Sequence, residues 1–555
     1  MTSERNATGN RPDKRQRDLG GIVTIGFGET DAARITPAHI GFKAANLLRM
    51  AAIGLPVPQG FVLDVESARA FADPQPGIVP TLRDTLVAAI RQLEGATSFG
   101  FGSPRRPLLV SVRSGAAVSM PGMMETLLNV GLNEASVHAL IRLTGNPRLA
   151  WNSYRRLIQS FAETVREIPA DQLARVVTAE VERQGLASER ELDFASERHV
   201  AAELLDMCRE VSGEAFPQLP MAQLEAAVQA VIVSADRPKA REYRRLHHLP
   251  EDLGTAVTVQ RMVYGNAGGT SGAGVGFTRD PANGARRRYY DFLFNAQGED
   301  VVSGRAGTDE ADRLPDVLPE VTDRLDAIAV QLEREFRDVQ EFEFTVQEGE
   351  LFLLQTRAAK RTPLARLVSA VELAEDGVID KEHALEMLRD LDLDAIAITR
   401  FDETADAVAV AHGVAAGTGV ASGEIALDSQ AVGRARDAGR SAILVRENAE
   451  TGDIEGMAAA AGVVTAHGSR TSHAAVVARQ MGIVCVVGAE PLAIDLTARV
   501  VRFGEIVLRE GEIVSVAGET GKIYRGSVRV TTERPARWID TVASWRAATP
   551  VALTA

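Results

Sequence analysis

The sequence predicts a mixed α/β (α+β) protein of several domains, and three observations lead there. Its 555 residues exceed several-fold a single domain of roughly 100–200 residues. Apolar residues at 45% and charged residues at 25% match a globular chain. Runs rich in Val, Ile and Phe alternate with long stretches at helical spacing. Aromatics supply only 5%, so cores of Ala, Val, Leu and Ile are expected. The net charge is −14 without a long basic run, which argues against nucleic acid or an anionic membrane as partner. Cys208 and Cys485 cannot staple a chain this long and fit a reducing compartment. Residues 1–20 lack the apolar stretch of a secretory signal. No apolar run approaches the roughly 20 residues of a membrane span, so a cytoplasmic protein is expected.

The elements follow in order. Residues 1–20 read as a flexible tail. Residues 38–52 carry apolar positions at helical spacing, closed by Gly54 and barred from continuing by Pro56 and Pro58. Leu108–Val112 is a short apolar run after Pro107, hence a buried strand. From Glu134 to Arg245 the pattern is helical, charge-rich and poor in Gly, which reads as a helical insert. Beyond Gly254, strand-like runs are separated by Gly, Asn and Pro turns; FEFTVQ and LFLLQTR flank Glu348-Gly349-Glu350, a hairpin signal. Residues 363–393 return to helical spacing as a linker pair. A new unit starts near Val408, with close turns at Gly413, Gly417, Gly419 and Gly423, and ends in a Gly-punctuated β series. Residues 533–555 read as a loose tail.

Two constellations carry chemistry. The first is spread over four segments. Lys43 lies on a helix opening after Gly41. Arg113 stands at the mouth of a Ser/Gly-rich loop, Ser111 to Gly122, where small residues let backbone N–H groups approach phosphate oxygens. Asn295, Gln297, Glu299 and Asp300 form a polar turn. On the hairpin, Glu341 and Glu343 share one strand face and Gln355 and Arg357 share a face of the partner, with Phe342 and Phe344 opposite. Two adjacent carboxylates repel unless a cation lies between them, and Mg²⁺ takes carboxylates together with substrate phosphates. Taken by itself the hairpin has a plainer explanation, a solvated amphipathic pair with a cross-strand Glu–Arg bridge. The glycines match neither a P-loop nor a dinucleotide fingerprint.

The second constellation is GVVTAHGSRTSHAAVVARQMGIVCVVG over residues 462–488. A strand ends at Gly468, and Thr471 or Ser472 caps a helix beginning near His473. Helix N-termini favour anions and disfavour imidazolium, and histidine is a covalent nucleophile. Arg470 and Arg479 stand ready for charge-assisted bonds. A lone histidine is more often a cap or a buried structural group, and His467 is a rival in the same loop. No Cys/His cluster has zinc spacing.

The motifs together resemble the pyruvate, phosphate dikinase family of phosphoenolpyruvate (PEP)-utilising enzymes, from about residue 38 to 525. The specific stretches are VSVRSGAAVSMPGMMETLLNVGLN (110–133), SGAGVGFTRDP (271–281), FLFNAQGEDVVSG (292–304), FEFTVQEGELFLLQTRAAKRT (342–362) and RTSHAAVVARQMG (470–482). The resemblance implies an ATP-grasp nucleotide-binding domain with a helical insert (residues 21–362, insert about 134–245). A helical linker (363–400), a swivelling β/β/α phosphohistidine domain (401–530) and a tail (531–555) follow. It implies nucleotide contacts from Lys43, Arg113, Glu299, Asp300, Gln355 and Arg357, Mg²⁺ ligands Glu341 and Glu343, catalytic His473 and a regulatory position at Thr471. ATP, inorganic phosphate and pyruvate or PEP are the implied small-molecule partners. Two departures stand out: Gly41-Phe42-Lys43-Ala44 where the family favours Gly-Gly-Lys-Gly, and Ser469 where it favours Gly. The family's PEP/pyruvate-binding (α/β)₈ barrel needs at least about 200 residues, and 29 follow Gly526. The expectation is therefore a chain without that barrel, served by one on a separate protein. The alternatives are a phosphotransferase with another small-molecule acceptor or a non-catalytic ATP-binding regulator.

Overall fold

The computed structural model describes residues 21–28, 36–72, 81–118, 125–246, 249–251, 253–287, 289–302, 308–402, 409–470 and 472–548. The tail read at residues 1–20 lies outside them. The chain forms two units, Met1–Leu48 with Gln59–Met262 and Arg49–Pro58 with Val263–Ala555.

In the first unit five antiparallel strands, β1 (Ile22–Ile25), β2 (Gly60–Leu63), β3 (Val110–Gly115), β4 (Thr126–Val130) and β5 (Ala256–Arg261), pair in the order β1-β2-β5-β3-β4. The helix expected over 38–52 is divided. Pro37–Ile40 stops at Gly41, whose φ of 77° only glycine adopts freely, and α1 (Phe42–Ala52) begins beyond it. A Cβ at Gly41 would lie 2.9 Å from the Gly115 Cα, and the Phe42 N–H donates to the Ala116 carbonyl at 2.8 Å. The close approach ties the start of α1 to the end of β3.

The helical insert is present from Glu134–Thr144 to Pro238–Leu246. Its boundaries follow from local chemistry: Asn133 forms a capping box with Ser136, Gly145 closes in the left-handed region, and Asn146 then caps a helix with Pro147 in its first turn. Inside, the fully buried Glu197 carboxylate accepts from Arg155 Nε at 2.6 Å and from Asn152 at 2.7 Å, so the buried charge is paired.

The second unit opens with β6 (Gly272–Phe277), β7 (Tyr289–Phe294), β8 (Gln340–Gln347) and β9 (Glu350–Ala358), in the antiparallel order β9-β8-β6-β7. The hairpin turns at Glu348 and Gly349, with φ of 50° and 83°, the doubly left-handed geometry that matches strand twist. Gly274 and Gly276 leave room for rings lying flat on the sheet. A Cβ on Gly276 would stand 2.6 Å from Phe342 Cζ, and one on Gly274 would stand 2.7 Å from the Asp291 carbonyl oxygen while striking the Phe344 ring. Phe292 and Phe344 stack there, 5.9 Å apart and 10° from parallel. Gly274→Ala should therefore overpack the core and cost about 1–3 kcal/mol. A thermal melting midpoint equal to the parent's would refute this.

The linker pair appears as α2 (Pro363–Glu375) and α3 (Lys381–Met387). Beyond it β10 (Ala409–Ala415), β11 (Val420–Ala426), β12 (Ala442–Arg446), β13 (Gly462–Thr465), β14 (Val484–Glu490), β15 (Ile513–Ala517) and β16 (Lys522–Arg525) close into a barrel ordered β10-β14-β13-β12-β11-β15-β16. The expectation of a chain without the (α/β)₈ barrel is corrected only to the extent that a barrel of another kind closes within residues 409–525: seven strands, with parallel pairing along β11-β12-β13-β14 and antiparallel pairing elsewhere. Helix α4 (His473–Met481) connects β13 to β14.

The loose tail expected after residue 531 is a second correction. Residues Ala536–Ala548 form α5, which buries Ile539, Val542 and Trp545 against Leu367, Val371 and Ala384 of the linker helices. The spacing i, i+3, i+6 is helical, but three apolar positions within a polar segment give a weak signal.

Candidate functional site

In the first unit Lys43 sits half-buried on the first turn of α1, where the Gly41–Gly115 contact anchors it. Arg113 projects from β3, partly exposed, with its Nε buried and without a hydrogen-bond partner. Ser119, Pro121 and Gly122 of the expected phosphate loop lie outside the described residues.

In the second unit the hairpin registers Glu341 opposite Arg357 and Glu343 opposite Gln355, so all four side chains share one face. The plainer cross-strand pairing is realised as well: an Arg357 Nη donates to Glu341 Oε1 at 2.5 Å. Burial works to lower the Arg357 pKa, but the Glu341 and Glu343 carboxylates outweigh it and the pKa is raised. Among the described residues no three His, Cys, Asp or Glu side chains converge as a metal cluster. Two carboxylates at i and i+2 nonetheless suit Mg²⁺, which completes its shell with phosphate oxygens and water.

Asp300 has a local task. Its carboxylate accepts the Gln297 N–H at 2.8 Å, while the Gln297 amide donates to Asn266 at 2.8 Å. The loop between β7 and the short helix Gly298–Val302 is thereby fixed. Glu299 belongs to that helix, and its side chain lies outside the described residues.

His473 is the first residue of α4 and is exposed. Ser472 occupies the N-cap position but makes no side-chain capping bond, which leaves the positive end of the helix open beside the imidazole. His467 is exposed in the same loop. Thr471 lies outside the described residues. The two arginines expected to serve an anion are partly engaged. Arg479, 1% exposed, donates to the Arg470 carbonyl at 2.7 Å and lies 5.5 Å over the Phe277 ring. Arg470 lies 5.5 Å over the Tyr289 ring and 4.0 Å from Asp291 Oδ1.

Those contacts locate the histidine loop on the sheet. Tyr289, Phe277, Glu341 and Arg357 form one cross-strand row; Asp291, Val275, Glu343 and Gln355 form the next. Partners across a ladder share a face, so the Arg470 anchors lie on the face of the paired carboxylates. With strands about 4.8 Å apart, Asp291 and Glu343 stand roughly 10 Å apart along their row. Sequence reasoning missed Tyr289, Asp291 and Phe277. Their signal was the alternation in RRRYYDFLF and GVGFTRD, which reveals a strand but not which domain packs on it. Burial pushes the Tyr289 hydroxyl up to about 12, so it stays protonated across physiological pH.

Comparison with known proteins bears on both units. Residues 78–316 match the family described as pyruvate phosphate dikinase, AMP/ATP-binding domain. Residues 439–521, which include His473, match the PEP-utilising enzyme mobile domain. The pyruvate, phosphate dikinase of Clostridium symbiosum is 40% identical over 511 residues, covering 90% of this chain and 58% of its own length. That of Rhizobium meliloti (strain 1021) is 39% identical over 91% of this chain and 58% of its own. Pyruvate, phosphate dikinase 2 of Zea mays is 38% identical over 94% and 60%. The chain thus spans somewhat under two thirds of these relatives. Their names offer no support for a barrel on a separate protein, a different acceptor or a non-catalytic regulator. No helix among the described residues is long and apolar enough to cross a membrane.

Proposed function

We propose that this chain acts as a pyruvate, phosphate dikinase-like phosphotransferase, moving phosphoryl groups from Mg-ATP to His473 and onward to pyruvate. The observation that carries the reading is the exposed His473 at an uncapped helix start, on a loop docked to the sheet face that bears Glu341 and Glu343. The two matched domain families and the three dikinases support it.

In this reading Lys43, Arg113, Gln355 and Arg357 hold the polyphosphate, with Glu299 and Asp300 beside it. Glu341 and Glu343 would hold Mg²⁺, which neutralises charge on the phosphates when bound. Arg357 exchanges its Glu341 partner for a phosphate oxygen. A ring nitrogen of His473 donates its lone pair to the β-phosphorus of ATP as the bond to the AMP oxygen breaks, leaving a pyrophosphoryl-histidine. Inorganic phosphate removes the outer phosphoryl as pyrophosphate, and the remaining one passes to the pyruvate enolate oxygen, giving PEP. The open amides at the start of α4 and Arg470 stabilise the carried group. Thr471 is proposed as a regulatory position, because a phosphate there would compete for the same amides and the same arginine. The test is covalent labelling from ATP labelled at the β position, with His473→Ala and His467→Ala as the discriminating variants.

The donor set has a consequence for the metal. Two carboxylates, one of them already paired with Arg357, make a poor site until phosphates complete it. Calorimetry should show no Mg²⁺ binding tighter than about 1 mM without nucleotide. A micromolar nucleotide-free site would contradict this.

A further inference from the structure

Arg113 on β3 pairs directly with Thr258 on β5, so their side chains are neighbours on one face. Both carry a buried polar atom without a hydrogen-bond partner, Arg113 Nε and Thr258 Oγ1, and Thr258 is only 2% exposed. The nearby hydroxyls are used. Thr255 donates to the Ala256 carbonyl at 2.9 Å and accepts from the Gly115 N–H at 3.1 Å. Ser111 donates to the Gln260 carbonyl at 3.4 Å. An idle buried hydroxyl inside a sheet is uncommon, because valine fills the same shape without the desolvation cost. The idle pair is complementary: Nε–H is a donor with no acceptor, and Oγ1 is an acceptor with no donor.

We propose that Thr258 is a positioning residue for the nucleotide site: when phosphate draws the terminal nitrogens of Arg113 outward, Nε–H closes onto Thr258 Oγ1 and fixes the plane of the guanidinium. This rests on the reading of Arg113 as a phosphate ligand. The bond stays open in the free protein and forms with the complex, so its free energy appears in nucleotide affinity and not in the stability of the empty protein.

The experiment is calorimetric titration of the full chain with Mg²⁺ and the non-hydrolysable β,γ-imido analogue of ATP. Thr258→Val should weaken binding about tenfold, as loss of a charge-assisted hydrogen bond does, with no fall in melting midpoint. Thr258→Ser, which keeps the hydroxyl, should stay within about twofold of the parent. Lysine has no Nε–H, so in an Arg113→Lys background the valine substitution should add nothing further. Parent-like affinity in Thr258→Val, or an undiminished loss in the double variant, overturns the inference. Arg113→Lys binding as tightly as the parent overturns the phosphate role of Arg113, and this inference with it.

Discussion

Replacing His473 with alanine should abolish the covalent adduct formed from β-labelled ATP, to below about 1% of the parent, because no other group supplies the attacking lone pair. The adduct should be acid-labile and alkali-stable, as expected for a phosphorus–nitrogen bond that breaks once the nitrogen is protonated. Alanine is well tolerated at the first position of a helix, and His473 is exposed. The variant should therefore melt like the parent, which separates lost chemistry from lost fold. His467, six residues earlier, is exposed as well, and its backbone is pinned by bonds to Glu447 and Thr465. It does not stand at a helix start, so His467→Ala should keep at least about half of the labelling. Label surviving in His473→Ala, or vanishing in His467→Ala alone, would sink the assignment.

The second large effect is expected at Glu343. Its partner across the ladder is the neutral Gln355, whereas Glu341 faces Arg357 and is bonded to it at 2.5 Å. Glu343 is thus the carboxylate less committed to a protein cation. Glu343→Gln keeps shape and removes charge, leaving a single, already paired carboxylate for the metal. The rate of His473 labelling should fall by at least about 10²-fold, with little change in stability because the position is half-buried. Glu341→Gln should behave differently, since it also frees Arg357. Normal labelling by Glu343→Gln at ordinary Mg²⁺ concentrations would remove the metal from this hairpin.

Much of this was legible before any coordinates. The hairpin faces were readable because side chains alternate with period 2, which forces Glu341 and Glu343 to one side wherever the strand lies. The exposed His473 at a helix start was readable because Gly468 ends one element and the Ala/Val run from Ala474 begins another. Other features escaped. The break at Gly41 depends on Gly115 arriving alongside it, seventy-four positions later in the chain. Helix α5 reads as a tail in the sequence because its three buried side chains acquire meaning only against α2 and α3.

The chain alone determined its own periodicities, its turn positions, and which side chains share a face of any one strand or helix, because these follow from backbone geometry over a few residues. Only the tertiary structure decided that Arg470 rests on Tyr289 and Asp291, that Arg479 is spent holding its carbonyl, and that Thr258 lies unpaired beside Arg113. The contacts of Arg470 with Tyr289 and Asp291 and of Thr258 with Arg113 join residues more than a hundred positions apart. They are set by which buried surfaces fit together, a quantity that no local pattern encodes.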